Sequence, residues 1–277
     1  MKPFEYYAPA TLEEAFALLD RFGPDAKILN GGTDVVVQLR DKLISPKAVI
    51  DIKRIPGMKE LRYDGEKGLT IGACITMNAL GEDPAVREHY PTLAKAALSV
   101  GSKQVRNRAT CIGNIVNASP LADTGTPLMV HNAVVVAHSA CGVREIPLEE
   151  FFVFVKKTSL RPGEIVTHIQ VPPAPGAVGE FSKIARRREV DLSTICATVL
   201  KAPDGWRVAY GSVAPTPIRL KKTEQLLNSQ PLTEQVIDQA VELARSEVSP
   251  IGDVRASKEY RLEVVGVVLA RSLRALM

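Results

Sequence analysis

The sequence of 277 residues lacks several features that would assign its class at once. It has no internal repeat, no low-complexity tract and no run of about 18 apolar residues, so repeat proteins, disordered chains and transmembrane helices are excluded. Its first residues, MKPFEYYAPA, contain no apolar stretch of the kind found in secretion signals. With 45% hydrophobic and 24% charged residues, we expect a globular cytoplasmic protein.

Charge of one sign is also scarce. The 35 basic and 31 acidic residues leave a formal net charge of +4, and the only dense basic cluster is Arg186–Arg188. So small a surplus without a long basic run does not indicate nucleic-acid binding. We interpret the arginine cluster as a solvated or partner-facing patch.

Cysteine is rare and scattered. No two of the four cysteines form a CxxC pair, which excludes a compact zinc or iron–sulfur site and predicts free, buried or partly buried thiols. The four histidines are also scattered, so no catalytic or metal-ligating residue is predicted. The cysteines are Cys74, Cys111, Cys141 and Cys196.

Glycine and proline, 19 of each, divide the chain into short elements. Apolar spacing predicts a helix that begins after Thr11 and ends before Gly23-Pro24. Val35 to Leu39 fits a helix or a strand, and the segment PPAPGAVG, 172–179, is predicted to be a linker. Further helices are predicted at 91–100, 233–247 and 259–276, and strands at 26–29, 49–52, 69–75, 134–137, 164–171, 195–200 and 207–213.

The first candidate site is Asn30-Gly31-Gly32-Thr33-Asp34, directly after a predicted strand. Adjacent glycines allow a positive φ and a close backbone approach, so consecutive N–H groups can point into one concavity and bind a phosphate or pyrophosphate. The segment is neither a Rossmann nor a Walker A sequence. Alone, it is compatible with an ordinary structural turn.

The second candidate site lies in the segment QVRNRATCIGNIVNASPLAD, 104–123. Thr110 and Asn114 offer hydroxyl and amide groups around Gly113. Asp123 offers a carboxylate that could hold ribityl or adenosine hydroxyls. By itself the segment could be a structural polar loop, but two phosphate-suited glycine loops in one chain are harder to explain as structure alone.

NGGTD and RNRATCIGNI-x-NASPLAD together resemble the two FAD loops of the flavoprotein subunits of molybdenum hydroxylases, which include the medium subunit of carbon monoxide dehydrogenase and the FAD domain of xanthine dehydrogenase. The resemblance extends over the whole chain. It is carried by PFEYYAPATLEEA, FFVFVKKTSLRPGEIVTHIQVP, FSKIARRREVDLSTICA, GSVAPTPIRLKKTEQLL and SPIGDVRASKEYRLEVVGVVLARSL.

The resemblance implies an α+β fold in two domains. Residues 1–175 would form an α/β FAD-binding domain of the vanillyl-alcohol oxidase-like type, in two parts that divide near residue 55. Residues 176–277 would form a smaller α+β domain of the carbon monoxide dehydrogenase flavoprotein type. The linker predicted at 172–179 agrees with this division.

The resemblance also implies which residues hold the FAD. The two loops would cradle the pyrophosphate, Asp123 would hold the ribityl or adenosine part, and Val166 and Lys183 would lie close to the cofactor. The full implied set is Ile28, Leu29, Asn30, Gly31, Gly32, Thr33, Asp34, Val35, Thr110, Ile112, Gly113, Asn114, Ser119, Asp123, Val166 and Lys183.

One residue departs from the pattern of the family. The relatives usually have Gly-Gly-Asn in the second loop, where this chain has Ile112-Gly113-Asn114. A β-branched residue disfavours a positive φ. Either this position has an ordinary φ and needs no glycine, which we favour, or the loop holds FAD differently.

The implied function is electron transfer within a complex. A molybdopterin-binding large subunit would oxidise or reduce the substrate, a small subunit with [2Fe-2S] clusters would pass the electrons on, and the FAD of this chain would deliver them to an external acceptor. Neither the substrate nor the acceptor is identified by the sequence. The alternatives are a stand-alone FAD oxidoreductase of related fold, a relative with a cysteine-rich iron–sulfur insertion, and a scaffold subunit without cofactor.

Overall fold

The computed structural model describes residues 1–277 and begins with a small parallel sheet of order β1-β3-β2. The Thr11 side chain caps the first helix by accepting the Glu14 N–H, and Gly23, at a φ of 51°, ends it. This first part contains β1 (Glu5–Tyr7), α1 (Leu12–Phe22), β2 (Ala26–Leu29), α2 (Val35–Arg40) and β3 (Ala48–Asp51).

The second part is a five-stranded antiparallel sheet of order β4-β5-β10-β6-β7, with six helices inserted between its second and third strands in the sequence. The strands are β4 (Leu61–Asp64), β5 (Gly68–Gly72), β6 (Val134–Ser139), β7 (Gly142–Pro147) and β10 (Ile165–Val171). The inserted helices are α3 (Met77–Glu82), α4 (Pro84–His89), α5 (Pro91–Leu98), α6 (Lys103–Arg106), α7 (Cys111–Val116) and α8 (Gly125–Val130). A short helix and a hairpin follow, α9 (Leu148–Phe151), β8 (Phe152–Phe154) and β9 (Lys157–Thr158).

The third part is a four-stranded antiparallel sheet followed by three helices. Its strands lie in chain order, β11 (Val178–Ile184), β12 (Ile195–Ala202), β13 (Gly205–Gly211) and β14 (Ile218–Arg219). The helices are α10 (Lys221–Ser229), α11 (Glu234–Glu247) and α12 (Lys258–Ala275).

This third sheet is covered on both faces. Helices α10 and α12 contact it from within the third part, while α5 and α8 contact it from the second part. Alternation along the strands explains the two coverings, since Val199 and Val208 belong to the core of the third part and Leu200 and Ala209 to the larger core of the first two parts. The two cores therefore meet through a single sheet.

Most of the predicted elements are confirmed within two or three residues, and the segment 35–39, predicted as a helix or a strand, is helical. Two predictions differ more, since the second glycine loop begins helix α7 and strand β11 already starts at Val178, inside the predicted linker. Cys141 is exposed, so the prediction of a buried or partly buried thiol is wrong there because the residue lies at the tip of a β-turn between β6 and β7. None of the helices could span a lipid bilayer.

Candidate cofactor-binding site

The loop 30–34 leaves its backbone amides unused. It follows β2, and the N–H groups of residues 31–34 make no backbone hydrogen bond. Gly32 has a φ of +83°, a conformation that glycine adopts without steric cost. Consecutive free amides next to a residue of positive φ form a concavity suited to an anion.

The two glycine loops lie against each other. A Cβ atom on Gly31 would stand 2.1 Å from the carbonyl oxygen of Arg108 and 3.2 Å from the Cα of Ala109. The side-chain amide of Asn30 donates to the carbonyl of Ala73, and Thr110 forms a β-bridge with Thr76, three residues after Ala73. Only a glycine at position 31 allows this approach of two backbones.

The second loop is the start of helix α7. The Thr110 hydroxyl accepts the Gly113 N–H at 3.0 Å and so caps this helix. A Cβ on Gly113 would stand 2.7 Å from the same hydroxyl oxygen. Ile112 is buried, is helical and is not among the residues with positive φ. The family's glycine is therefore not required at position 112, as we favoured from the sequence.

Polar side chains connect the two loops to the β8–β9 hairpin. The Asn117 amide nitrogen donates to Asp34 Oδ1 at 3.0 Å. Lys156 Nζ, in the hairpin turn, donates to Asn117 Oδ1 at 2.8 Å. Neither Asn117 nor Lys156 was predicted as a site residue, because this contact joins segments far apart in the sequence.

Asp123 and Lys183 form a buried ion pair between the second and third parts. Lys183 Nζ donates to Asp123 Oδ2 at 2.6 Å and to the Ser99 carbonyl at 2.9 Å. The Ser193 hydroxyl donates to the other oxygen of Asp123. Burial raises the pKa of the Asp123 carboxyl, and the Lys183 ammonium opposes that shift. The neighbouring Thr124 donates to Asn114 Oδ1 at 2.7 Å, which connects the pair to the second loop.

The other predicted residues lie around these loops. Leu29 Cδ1 is 3.1 Å from the position that a Cβ on Gly32 would occupy. Ser119 is half-buried beyond the end of α7, and its hydroxyl accepts the Leu121 N–H. Val166 is buried on β10, which α7 contacts. Ile28 lies on β2 before the first loop, and Val35 begins α2 after it.

Lys53 is a further residue of the site, and sequence reasoning missed it. Its Nζ donates to the Asn30 carbonyl oxygen at 3.1 Å and lies 2.7 Å from Asp51 Oδ2. The same carboxylate accepts the Tyr6 hydroxyl at 2.6 Å. The carboxyl ends of the parallel strands β2 and β3 lie at one edge, so a polar residue just after β3 was an available signal.

These residues fit a dinucleotide cofactor such as FAD. The free amides of 31–34 suit a pyrophosphate. Asn30 Oδ1 is buried without a hydrogen-bond partner in the protein, and such an acceptor is stabilised by a donor from a ligand. Since residue 31 is a glycine, no side chain lies between its backbone and the Arg108 carbonyl. The loops thus leave donors and an acceptor for a ligand at one place.

Comparison with known proteins establishes the family. Residues 2–174 match the family model described as the FAD binding domain in molybdopterin dehydrogenase. Residues 180–276 match the CO dehydrogenase flavoprotein C-terminal domain. The chain belongs to the FAD-binding subunits of the molybdenum hydroxylase family. It is an oxidoreductase subunit, and FAD is its cofactor.

Individual relatives match over nearly the whole chain. A putative xanthine dehydrogenase FAD-binding subunit of Escherichia coli (strain K12) is 37% identical over 267 residues, which are 94% of this chain and 91% of the relative. The carbon monoxide dehydrogenase of Hydrogenophaga pseudoflava has a solved structure with a TM-score of 0.93 and 32% identity, covering 99% of this chain and 98% of that chain. Quinoline 2-oxidoreductase from Pseudomonas putida 86 gives a TM-score of 0.91 at 27% identity, with coverage of 99% and 98%.

Proposed function

We propose that this chain is the electron-transfer subunit of a multi-subunit molybdenum-dependent dehydrogenase or hydroxylase. A molybdopterin-binding large subunit acts on the substrate, and a small subunit with [2Fe-2S] clusters hands the electrons to this chain. When bound, FAD links one-electron and two-electron chemistry. The observation that carries the proposal is the row of unused amides at 31–34, held against the second loop at Gly31.

The first and second loops then hold the pyrophosphate. The amides of Gly31, Gly32, Thr33 and Asp34 donate to its oxygens, and the Asn30 side-chain oxygen accepts from a donor of the cofactor. The hydrogen bond from Lys53 to the Asn30 carbonyl holds this peptide in place, so that the loop keeps its shape before the cofactor binds. These residues bind and orient, and none of them needs to act as a nucleophile or a general acid.

Around the loops, the remaining residues shape the cofactor's surroundings. Ile28, Leu29 and Val35 frame the first loop, while Ile112, Gly113 and Asn114 set the start of α7. The Asp123–Lys183 pair lies near the flavin or its ribityl chain and places one positive and one negative charge there in a position shielded from water. Ser119 and Val166 complete the predicted set.

The chain divides into two domains under this proposal, 1–175 and 176–277, and the first divides again near residue 55. Three features support it. The first sheet ends at Asp51 and the second begins at Leu61, the smaller hydrophobic core consists only of residues beyond 175, and residues 172–177 connect β10 to β11 without regular structure. Four free cysteines fit the reducing cytoplasm in which we place the complex.

The experiment that tests the function compares the chain alone with the reconstituted complex. We expect the purified chain to bind one FAD non-covalently, so that acid precipitation leaves a yellow supernatant. Dithionite should reduce the bound flavin and an electron acceptor should reoxidise it, but no organic substrate should be oxidised. In the complex, loss of FAD should stop turnover with the acceptor while substrate still reduces the metal centres.

Two results would contradict the proposal. One is turnover of an organic substrate by the chain alone at an ordinary enzymatic rate, roughly 1 to 1,000 per second, which would favour a stand-alone oxidoreductase. The other is undiminished electron transfer to the acceptor by a flavin-free complex, which would favour a scaffold role.

A further inference from the structure

A small cavity opens at the start of helix α12, in the third part of the protein. Its volume is about 210 Å³, below the range of roughly 300–1,000 Å³ that encloses a whole drug-sized ligand. It lies between the loop 185–194, after β11, and the loop 248–257, before α12. Its wall consists of Ala185, Arg186, Thr194, Arg255, Ala256 and Tyr260. The cavity can therefore hold a small ion or one end group of a larger molecule.

Two arginines from different loops line this cavity. Arg186 is exposed, donates to the Val254 carbonyl at 3.4 Å and forms no ion pair within the protein. Arg255 is half-buried, and its guanidinium donates to Asp253 Oδ2 at 2.9 Å. A guanidinium presents several N–H donors in a planar fork that suits an anion. Because Arg186 has no carboxylate partner, its donors remain available to a ligand.

A third arginine lies behind the cavity wall. Arg261 is 2% exposed, and its guanidinium donates to the Thr194 carbonyl at 2.5 Å and to Asp253 Oδ1 at 2.8 Å. Its Nε is buried without a hydrogen-bond partner. Burial opposes the ionisation of Asp253, but hydrogen bonds from Arg255 and Arg261 lower its pKa to about 2. Three guanidiniums thus accompany one carboxylate, which leaves an excess of two positive charges at the cavity.

Helix α12 adds backbone donors at the same place. Its cap, Ser257, accepts the Tyr260 N–H at 3.2 Å. The N–H groups of residues 258 and 259 precede the first hydrogen bond inside the helix, so they have no partner within it. The helix is 18 residues long, and its N-terminus carries a partial positive charge. These amides reinforce the field of the three arginines.

We propose that this cavity binds the phosphate group of a small ligand, either inorganic phosphate or a phosphate monoester such as a mononucleotide. A phosphate monoester carries about −1.5 to −2 charges at neutral pH and three acceptor oxygens, which match the excess positive charge. Its oxygens can accept from Arg186 and Arg255 on two sides. A carboxylate has two oxygens in one plane, and a single guanidinium fork satisfies them. None of the residues that line the cavity belongs to the FAD-binding set.

The test measures phosphate binding to the FAD-loaded full chain, so that the pyrophosphate site is already occupied. The probes are inorganic phosphate, AMP and acetate, and calorimetry at low salt gives each dissociation constant. Arg186→Gln removes the unpaired guanidinium, and Arg186→Lys keeps its charge without the planar fork. Arg188→Gln is the matched control, since Arg188 is exposed two residues away and does not line the cavity. FAD content and thermal midpoint are recorded for each variant.

We expect the wild type to bind phosphate or AMP more tightly than acetate, and the tighter of the two phosphate probes to identify the source of the phosphate group. Arg186→Gln should bind roughly tenfold more weakly, because a charged hydrogen bond is lost, with FAD content and thermal midpoint unchanged. Arg186→Lys should bind with intermediate affinity, and Arg188→Gln should bind like the wild type.

Four results would overturn the proposal. The first is that the wild type binds neither phosphate nor AMP, and the second is that it binds acetate equally well. The third is that Arg188→Gln weakens binding as much as Arg186→Gln, which would show a general effect of charge. The fourth is loss of FAD from Arg186→Gln, since the arginine would then belong to the cofactor site. The proposed function is tested separately, because none of these results depends on electron transfer.

Discussion

Replacing Gly31 by alanine tests whether the two loops must touch. The added Cβ would stand 2.1 Å from the Arg108 carbonyl oxygen, and ordinary contacts begin at 3.4 Å, so one backbone has to move by more than 1 Å. Forcing one extra carbon into a packed site costs about 1–3 kcal/mol. We expect the upper half of this range, because the nearest atoms on both sides are backbone atoms.

This cost should appear in one of two measurements. If the loops separate in the free protein, closing them again weakens FAD binding, and about 1.4 kcal/mol corresponds to a tenfold higher Kd. If they stay together, the free energy of unfolding falls instead. Flavin fluorescence titration gives the Kd and denaturant unfolding gives the stability, so the two losses together should amount to about 2–3 kcal/mol.

Gly65→Ala is the matched control, since a Cβ there meets nothing within 4 Å and the residue has no positive φ. It should change both quantities by less than about 0.5 kcal/mol. If Gly31→Ala is as stable as the wild type and binds FAD equally well, the close approach of residues 31 and 108 is not part of the site.

Three further changes give distinct results. Gly32→Val should remove FAD from a folded protein, because a β-branched residue is strained at a φ of +83°, and Gly32→Ala should weaken FAD binding less. Full flavin occupancy in Gly32→Val would show that the loop is purely structural. Lys53→Met should raise the Kd for FAD roughly tenfold by removing a charged hydrogen bond to the Asn30 carbonyl. Lys67→Met, at an exposed lysine, is the control. If Lys53→Met binds FAD as tightly as the wild type, Lys53 does not position the loop. Burial, reinforced by Arg207, lowers the pKa of His131 to about 4, so protonation of His131 favours the unfolded state. As the pH is lowered from roughly 6.5 to 4, the free energy of unfolding should fall by about 1.4 kcal/mol per pH unit. His131→Phe should lose this part of the pH dependence in urea unfolding, and an identical slope in the variant would refute the role of His131.

Local signals in the sequence were sufficient for much of the fold. The Thr11 hydroxyl sets the start of α1 and the Gly23-Pro24 pair sets its end, through interactions within a few residues. Short β-branched runs predicted β3, β6 and β10. The second loop was harder, because it lies beside the first loop and its Thr110 pairs with Thr76. The amino acids near 110 do not determine that pairing.

The candidate site shows the same division. A Gly-Gly pair after a strand is visible in the sequence, and the positive φ of Gly32 follows from its residue type. The reason for Gly31 is different, since it depends on a carbonyl group 77 positions later at Arg108. The Lys53 contact with Asn30 and the Lys183 contact with Asp123 likewise join distant segments. For Lys53 the only signal in the sequence was its place just after a strand, and for the Lys183 contact there was none.

The doubly covered third sheet has a consequence for biosynthesis. Helix α5 leaves the ribosome well before β11, which later covers it, and α8 leaves well before β12 and β13, which later cover it. During this interval the nascent N-terminal region exposes an apolar surface, and such surfaces promote misassembly and aggregation in growing chains. We expect ribosome-bound chains that stop near residue 177 to recruit chaperones, and chains that extend beyond Gly211 to release them.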